Sequence, residues 1–166
     1  MIRFFGTLVF VVFFFVANAQ SLNLHDVRKD FNKGVKDENL CKKYLKILQT
    51  NAKSPLEKGY EAAFYMFMAK HASNPFKKMG YFKDGKKMLE SQIKLDPTNI
   101  ELRFIRLSIQ YHIPDFLGYK SNIEEDKEYL LSNLYKMSDE KTKDIIYNYL
   151  KGANMYTNQE LSLLSR

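Results

Sequence analysis

A short pattern recurs four times along this chain and limits what it can fold into. Ser54-Pro55-Leu56-Glu57, Thr98-Asn99-Ile100-Glu101, Ser121-Asn122-Ile123-Glu124 and Thr157-Asn158-Gln159-Glu160 each place a hydroxyl three residues ahead of a glutamate. At that spacing the hydroxyl accepts a hydrogen bond from the third helical amide, and the glutamate reaches back to the amide of the capping residue. Two amides that a helix start otherwise leaves unpaired are satisfied together. Pro55 strengthens the first box, because its fixed φ suits the first helical position and no N–H is needed there. Asn74-Pro75 and Ser138-Asp139-Glu140 are plainer starts of the same kind.

Apolar residues at helical spacing follow these starts. Leu56, Tyr60, Ala63 and Phe67 fall on one stripe, and Ile100, Phe104, Leu107 and Tyr111 on another. The pattern predicts eight helices, over 24–34, 38–50, 55–72, 75–95, 98–112, 121–136, 139–151 and 157–165. Strict apolar/polar alternation is lacking, and Asp84-Gly85 sits inside a helical pattern rather than between apolar runs, so strands have little support. The expectation is an all-α domain of antiparallel hairpins with short connections, either a right-handed array or a compact bundle. The helix over 98–112 carries a second apolar stripe, Leu102, Ile105 and Ile109, and a helix apolar on two sides is sandwiched between neighbours. It should lie at the centre. The longest irregular stretch, His112 to Lys120, contains Phe116 and Leu117 to pin it to the core and Gly118 to turn it.

The N-terminus has the layout of a secretory signal peptide: Arg3, an apolar run from Phe4 to Val16, then Ala17-Asn18-Ala19 as a small-x-small cleavage site. The expected division is a leader over 1–19 and one helical domain over 20–166. A retained anchor is the alternative, but an uninterrupted span needs about 20 apolar residues and this run is shorter. No membrane span is expected after cleavage. Cys41 is the sole cysteine, so no internal disulfide is possible, which fits a periplasmic or envelope domain better than a disulfide-built scaffold. The net charge of +7 is spread over lysines interleaved with acids, the pattern of a solvated surface rather than a nucleic-acid footprint.

Phe82, Gly85, Leu89, Gln92 and Pro97, ending in Leu95-Asp96-Pro97-Thr98-Asn99, resemble the second helix and closing turn of a tetratricopeptide repeat. In that motif small positions let two helices approach, a large residue fills the gap, and proline stops the helix. Gln92 departs from it, since alanine is the residue expected there. Asn74-Pro75 also interrupts the place where the first helix of that repeat would run. The resemblance implies a degenerate helical-hairpin array, an architecture that docks protein or peptide segments along a groove. A second stretch, from Asn99 to Leu130, is similar to a segment of small exported bacterial proteins with no assigned activity, and so implies export and helix only.

Arg103, Arg106 and Gln110 form a polar stripe on the helix whose other two sides are apolar. Guanidinium groups one turn apart grip a carboxylate or phosphate well. The stripe is therefore the candidate contact for a protein or peptide partner, with Tyr111 and Tyr119 as aromatic walls. An anionic ligand such as a cell-wall fragment is the alternative. The structural reading is an internal pair with Glu124, Glu125 or Asp126, which central burial would demand.

No catalytic, metal or cofactor signature stands out. His25, His71 and His112 are far apart, and an enzyme would need two or more of them, or one with Cys41, to converge beside a carboxylate. Cys41 reads as a buried thiol, and Met66, Met68, Met79 and Met88 read as core.

Overall fold

The computed structural model describes residues 21–165, and the expected leader over 1–19 lies outside them. The described chain forms eight α-helices: α1 (Leu24–Gly34), α2 (Glu38–Asn51), α3 (Pro55–His71), α4 (Pro75–Leu95), α5 (Ile100–His112), α6 (Ile123–Asn133), α7 (Glu140–Gly152) and α8 (Asn158–Leu164). Single 3-10 turns lie at Asp115–Leu117 and Leu134–Lys136. The described residues contain no strand. The helices match the sequence expectation within a few residues. The main difference is at the end of α6, whose last turn tightens into the second 3-10 turn.

Two of the four boxes form as expected. The Ser54 hydroxyl accepts from the Glu57 amide and the Glu57 carboxylate accepts from the Ser54 amide; Thr157 and Glu160 do the same for α8. The other two differ for an identifiable reason. Asn99 rather than Thr98 caps α5, accepting from the Leu102 amide, and this releases Glu101 to turn into the protein. Asn122 precedes α6 with no cap hydrogen bond from its side chain, which is drawn instead toward Gln110 and Glu125.

The α3/α4 hairpin is the tightest contact in the fold. Gly85 permits it: a Cβ there would lie 2.4 Å from Met66 Cγ and 2.9 Å from the Ala62 carbonyl oxygen. Phe82 and Leu89, on either side of Gly85, are buried in the same seam. Next to it, α5 is enclosed almost all round, with Leu102, Ile105 and Leu107 fully buried. The core continues through Phe31, Phe64 and Phe104 to Leu130, Ile146 and Leu164, so α1 and α5 to α8 share it. Contact between α1 and α7 joins two helices more than 100 residues apart in the chain.

Three expectations about the core need correction. Phe116 does not pin its loop, being 82% exposed, whereas Leu117 packs on the core and Gly118 takes the left-handed conformation that turns the chain. Met79 is exposed rather than core, because the first turns of α4 extend past their neighbours. Tyr119 is no surface wall but a buried side chain stacked edge-on against Phe82.

Candidate functional site

The polar stripe of α5 faces α6 and α4. Asp126, fully buried in the first turn of α6, accepts from Arg106 Nε and Nη2, both at 2.7 Å, and from Arg103 Nη1 at 2.9 Å. Arg103 Nη1 also donates to Glu125 at 2.6 Å, and its Nε donates to the Pro97 carbonyl at 3.2 Å. Arg106 Nη1 reaches Glu90 of α4 at 3.2 Å. The Tyr119 hydroxyl donates to the other oxygen of Glu90. Gln110 is fully buried, its Nε2 3.4 Å from Asn122 Oδ1 and its Oε1 without a hydrogen-bond partner among the described residues.

This arrangement is an ionic seam between helices. Burial pulls the Arg106 pKa down, but the hydrogen bonds to Asp126 and its charge more than offset this, so the pKa is raised. Burial, then the bond to Glu90, raises the Tyr119 hydroxyl. Glu125 is held below the usual carboxylate range by hydrogen bonds from Asn122 and Arg103. Arg106, Gln110 and Tyr119 are therefore not presented to a partner in this structure, and both guanidinium groups are already gripped by carboxylates. Tyr111 stands apart, exposed, with its hydroxyl donating to the Asn154 carbonyl at 3.4 Å.

A second buried ion pair lies on the opposite face of α5. Glu101 accepts from Arg28 Nε at 2.8 Å, from Arg28 Nη2 at 2.7 Å and from the Tyr60 hydroxyl at 3.0 Å. Arg28 Nη1 also faces Asp139, the cap of α7, at 3.9 Å. This pair ties α1, α3 and α5 together and points toward α7.

Beside it opens a cleft of about 330 Å³ between α1, α5 and α7. Its floor is aromatic: Phe104 lies 5.0 Å from Tyr149, and Phe31 lies 5.9 Å from Phe104 and 6.3 Å from Tyr149. Asn32 and Asn148 bring exposed carboxamides to the walls, neither hydrogen-bonded among the described residues. Lys29 gives the rim a positive edge, Arg28 being paired with Glu101 behind it, and no carboxylate lines the cleft. Sequence reasoning missed this site. The signal was present in part, since Arg28, Phe31 and Asn32 share a face of α1 and Ile145, Asn148 and Tyr149 share a face of α7. Nothing local says that two faces so far apart in the chain will meet.

The groups usually considered for catalysis are mostly engaged in structural contacts. Cys41 is buried, its thiol donating to the Phe64 carbonyl at 3.4 Å, and burial pushes its pKa up to about 12. His71 Nε2 lies 2.8 Å from the Gly34 carbonyl, His112 packs between Tyr111 and Tyr149, and His25 is exposed at the start of α1. Among the described residues no three His, Cys, Asp or Glu side chains are grouped to hold a metal, and no helix is long and apolar enough to cross a membrane. The fold and site together define an all-helical domain with an aromatic-floored cleft. No family model matches the chain, and no curated protein or solved structure shows significant similarity to it.

Proposed function

We propose that this protein is an exported, non-catalytic interaction module of the periplasm or cell envelope, built as a tetratricopeptide-like helical-hairpin array. It docks an extended peptide segment of a partner protein. The observation that carries this reading is the open cleft between α1, α5 and α7. An aromatic floor accepts an apolar side chain, and a carboxamide matches a peptide bond with one donor and one acceptor. Asn32 and Asn148 thus suit the backbone of a bound segment, while Lys29 favours an acidic side chain or a terminal carboxylate.

This moves the proposed contact away from Arg103, Arg106 and Gln110. The alternative of an anionic fragment held by Arg103 and Arg106 has less support, because Asp126, Glu125 and Glu90 already occupy those groups. The test is selection from a displayed peptide library on the immobilised protein, followed by titration of the selected peptides. Asn32→Ala/Asn148→Ala should weaken binding about tenfold or more, the effect of losing hydrogen bonds inside a partly desolvated site. Arg103→Lys, on the far side of α5, should leave it unchanged. Selected peptides that bind the double variant as tightly as the parent would sink the cleft, and failure to select any peptide would sink the peptide reading.

A further inference from the structure

The α3/α4 connection projects from the body of the domain. α4 has 21 residues against 13 for its neighbour α5, so it outruns α5 by about 12 Å at 1.5 Å per residue. Every residue over 73–79 is exposed, including the whole first turn of α4, and α4 regains a stacked partner only where Tyr81 meets Tyr65 at 5.0 Å. A Cβ added at Gly80 would meet nothing. At the apex stands Phe76, 86% exposed, with the exposed Met79 one turn on, so both lie on one face of α4 with Gly80 and Lys83.

The charge at this apex is predominantly positive, the nearest acids being Asp84 after Lys83 and Glu38 of α2. Lys70 lies in the last turn of α3, Lys83 shares the face of Phe76 and Met79, and Lys77 and Lys78 flank that face in the first turn of α4. No acidic residue occurs between Glu61 and Asp84, and none of these four lysines is ion-paired among the described residues. The nearby Glu38 of α2 is engaged with Lys42 at 2.7 Å. Asn74 caps α4, accepting from the Phe76 and Lys77 amides, which holds the tip in shape without burying it.

We propose that this tip is a membrane-surface contact: Phe76 and Met79 enter the interfacial layer of an anionic lipid bilayer, and Lys70, Lys77, Lys78 and Lys83 meet its headgroups. A convex apex with one aromatic ring and one thioether offers far less than the roughly 800 Å² that each partner buries in a stable protein complex. A lipid surface imposes no such area and no complementary pocket. Apolar side chains sink past the headgroups while lysine stems lie along them with the ammonium in water. Each lysine near an anionic leaflet adds about fivefold in surface affinity. The site is separate from the α1/α5/α7 cleft and does not rest on the peptide reading.

The test is local, because the apolar run over 4–16 can hold the full chain on vesicles by itself. An environment-sensitive dye is placed on Met79→Cys, or as a control on Gln49→Cys in the last turns of α2, at the opposite end of the hairpins. Buried Cys41 does not compete for labelling. Vesicles containing half phosphatidylglycerol should shift the Met79→Cys dye to the blue and allow its quenching by nitroxide-bearing lipid. Neutral phosphatidylcholine vesicles should not, and the Gln49→Cys dye should stay in water on both. Lys77→Glu/Lys78→Glu should lower the response on anionic vesicles at least 25-fold, two lysines at about fivefold each. A Met79→Cys dye that remains in water on anionic vesicles overturns the proposal. So does a response equally strong on neutral vesicles, at Gln49→Cys, or after the lysine exchange.

Discussion

Removing the Asp126 carboxylate should destabilise this domain more than any exchange on its surface. In Asp126→Ala, Arg106 loses the acceptor of its Nε and Nη2 bonds and keeps Glu90 at 3.2 Å and Glu125 at 3.8 Å. Its side chain is 5% exposed, so water cannot replace the lost bonds without opening the α5/α6 seam. Breaking one side of a buried pair leaves a charge uncompensated and costs about 3–5 kcal/mol. The remaining carboxylates temper this toward the lower end, and a domain of this size then loses about 10 °C in Tm. The assay is urea unfolding followed by far-UV circular dichroism at neutral pH. Arg106→Met/Asp126→Leu, which replaces the pair with apolar side chains of similar volume, should recover most of the loss, because both desolvation costs vanish with the charges. With Arg106→Met and Asp126→Leu as the single variants, the double-mutant cycle isolates the coupling. A loss below about 1 kcal/mol in Asp126→Ala, or a double variant no more stable than the single, would refute the claim that Asp126 clamps α5 to α6.

The same exchange at two glycines of α4 should act with opposite signs. Gly85→Ala drives a Cβ to 2.9 Å from the Ala62 carbonyl and should cost about 1–3 kcal/mol by forcing α3 and α4 apart. Gly80→Ala meets nothing and should stabilise by about 0.5–1 kcal/mol through helix propensity, both read from urea midpoints. Acid should weaken the fold from about pH 4 downward. Asp30, Glu57, Glu125 and Glu160 all have lowered pKa values, so the stability they contribute is complete above the ordinary carboxylate range and lost as pH falls through those depressed values. Urea midpoints across that range that stay flat would contradict it. Cys41 should resist a thiol reagent in the native protein and react at once in denaturant, because both burial and a pKa near 12 suppress the thiolate.

Local chemistry in the sequence settles where several of the helices begin. Ser54 with Glu57, Asn74 with Pro75, and Thr157 with Glu160 work within one turn, so no distant residue can change their geometry. The periodicity of Leu102, Phe104, Ile105, Leu107 and Ile109 likewise assigns α5 to the centre, because a helix apolar on two sides has nowhere else to go. Tertiary structure decides which polar groups meet. Glu101 sits in a sequence box that suits capping, yet Asn99 takes the cap and Glu101 turns inward to Arg28 and Tyr60, since a bidentate guanidinium outcompetes one exposed amide. Arg103 and Arg106 carry the same two meanings in sequence, a grip for a partner or a buried pair. Only the approach of Asp126 across the seam distinguishes them. The cleft depends on contact between α1 and α7, and the projecting tip on the unequal lengths of α4 and α5 once packed. A local pattern specifies a face but not the neighbour that covers it, whereas packing brings distant faces together or leaves one, such as the face bearing Phe76, in the open.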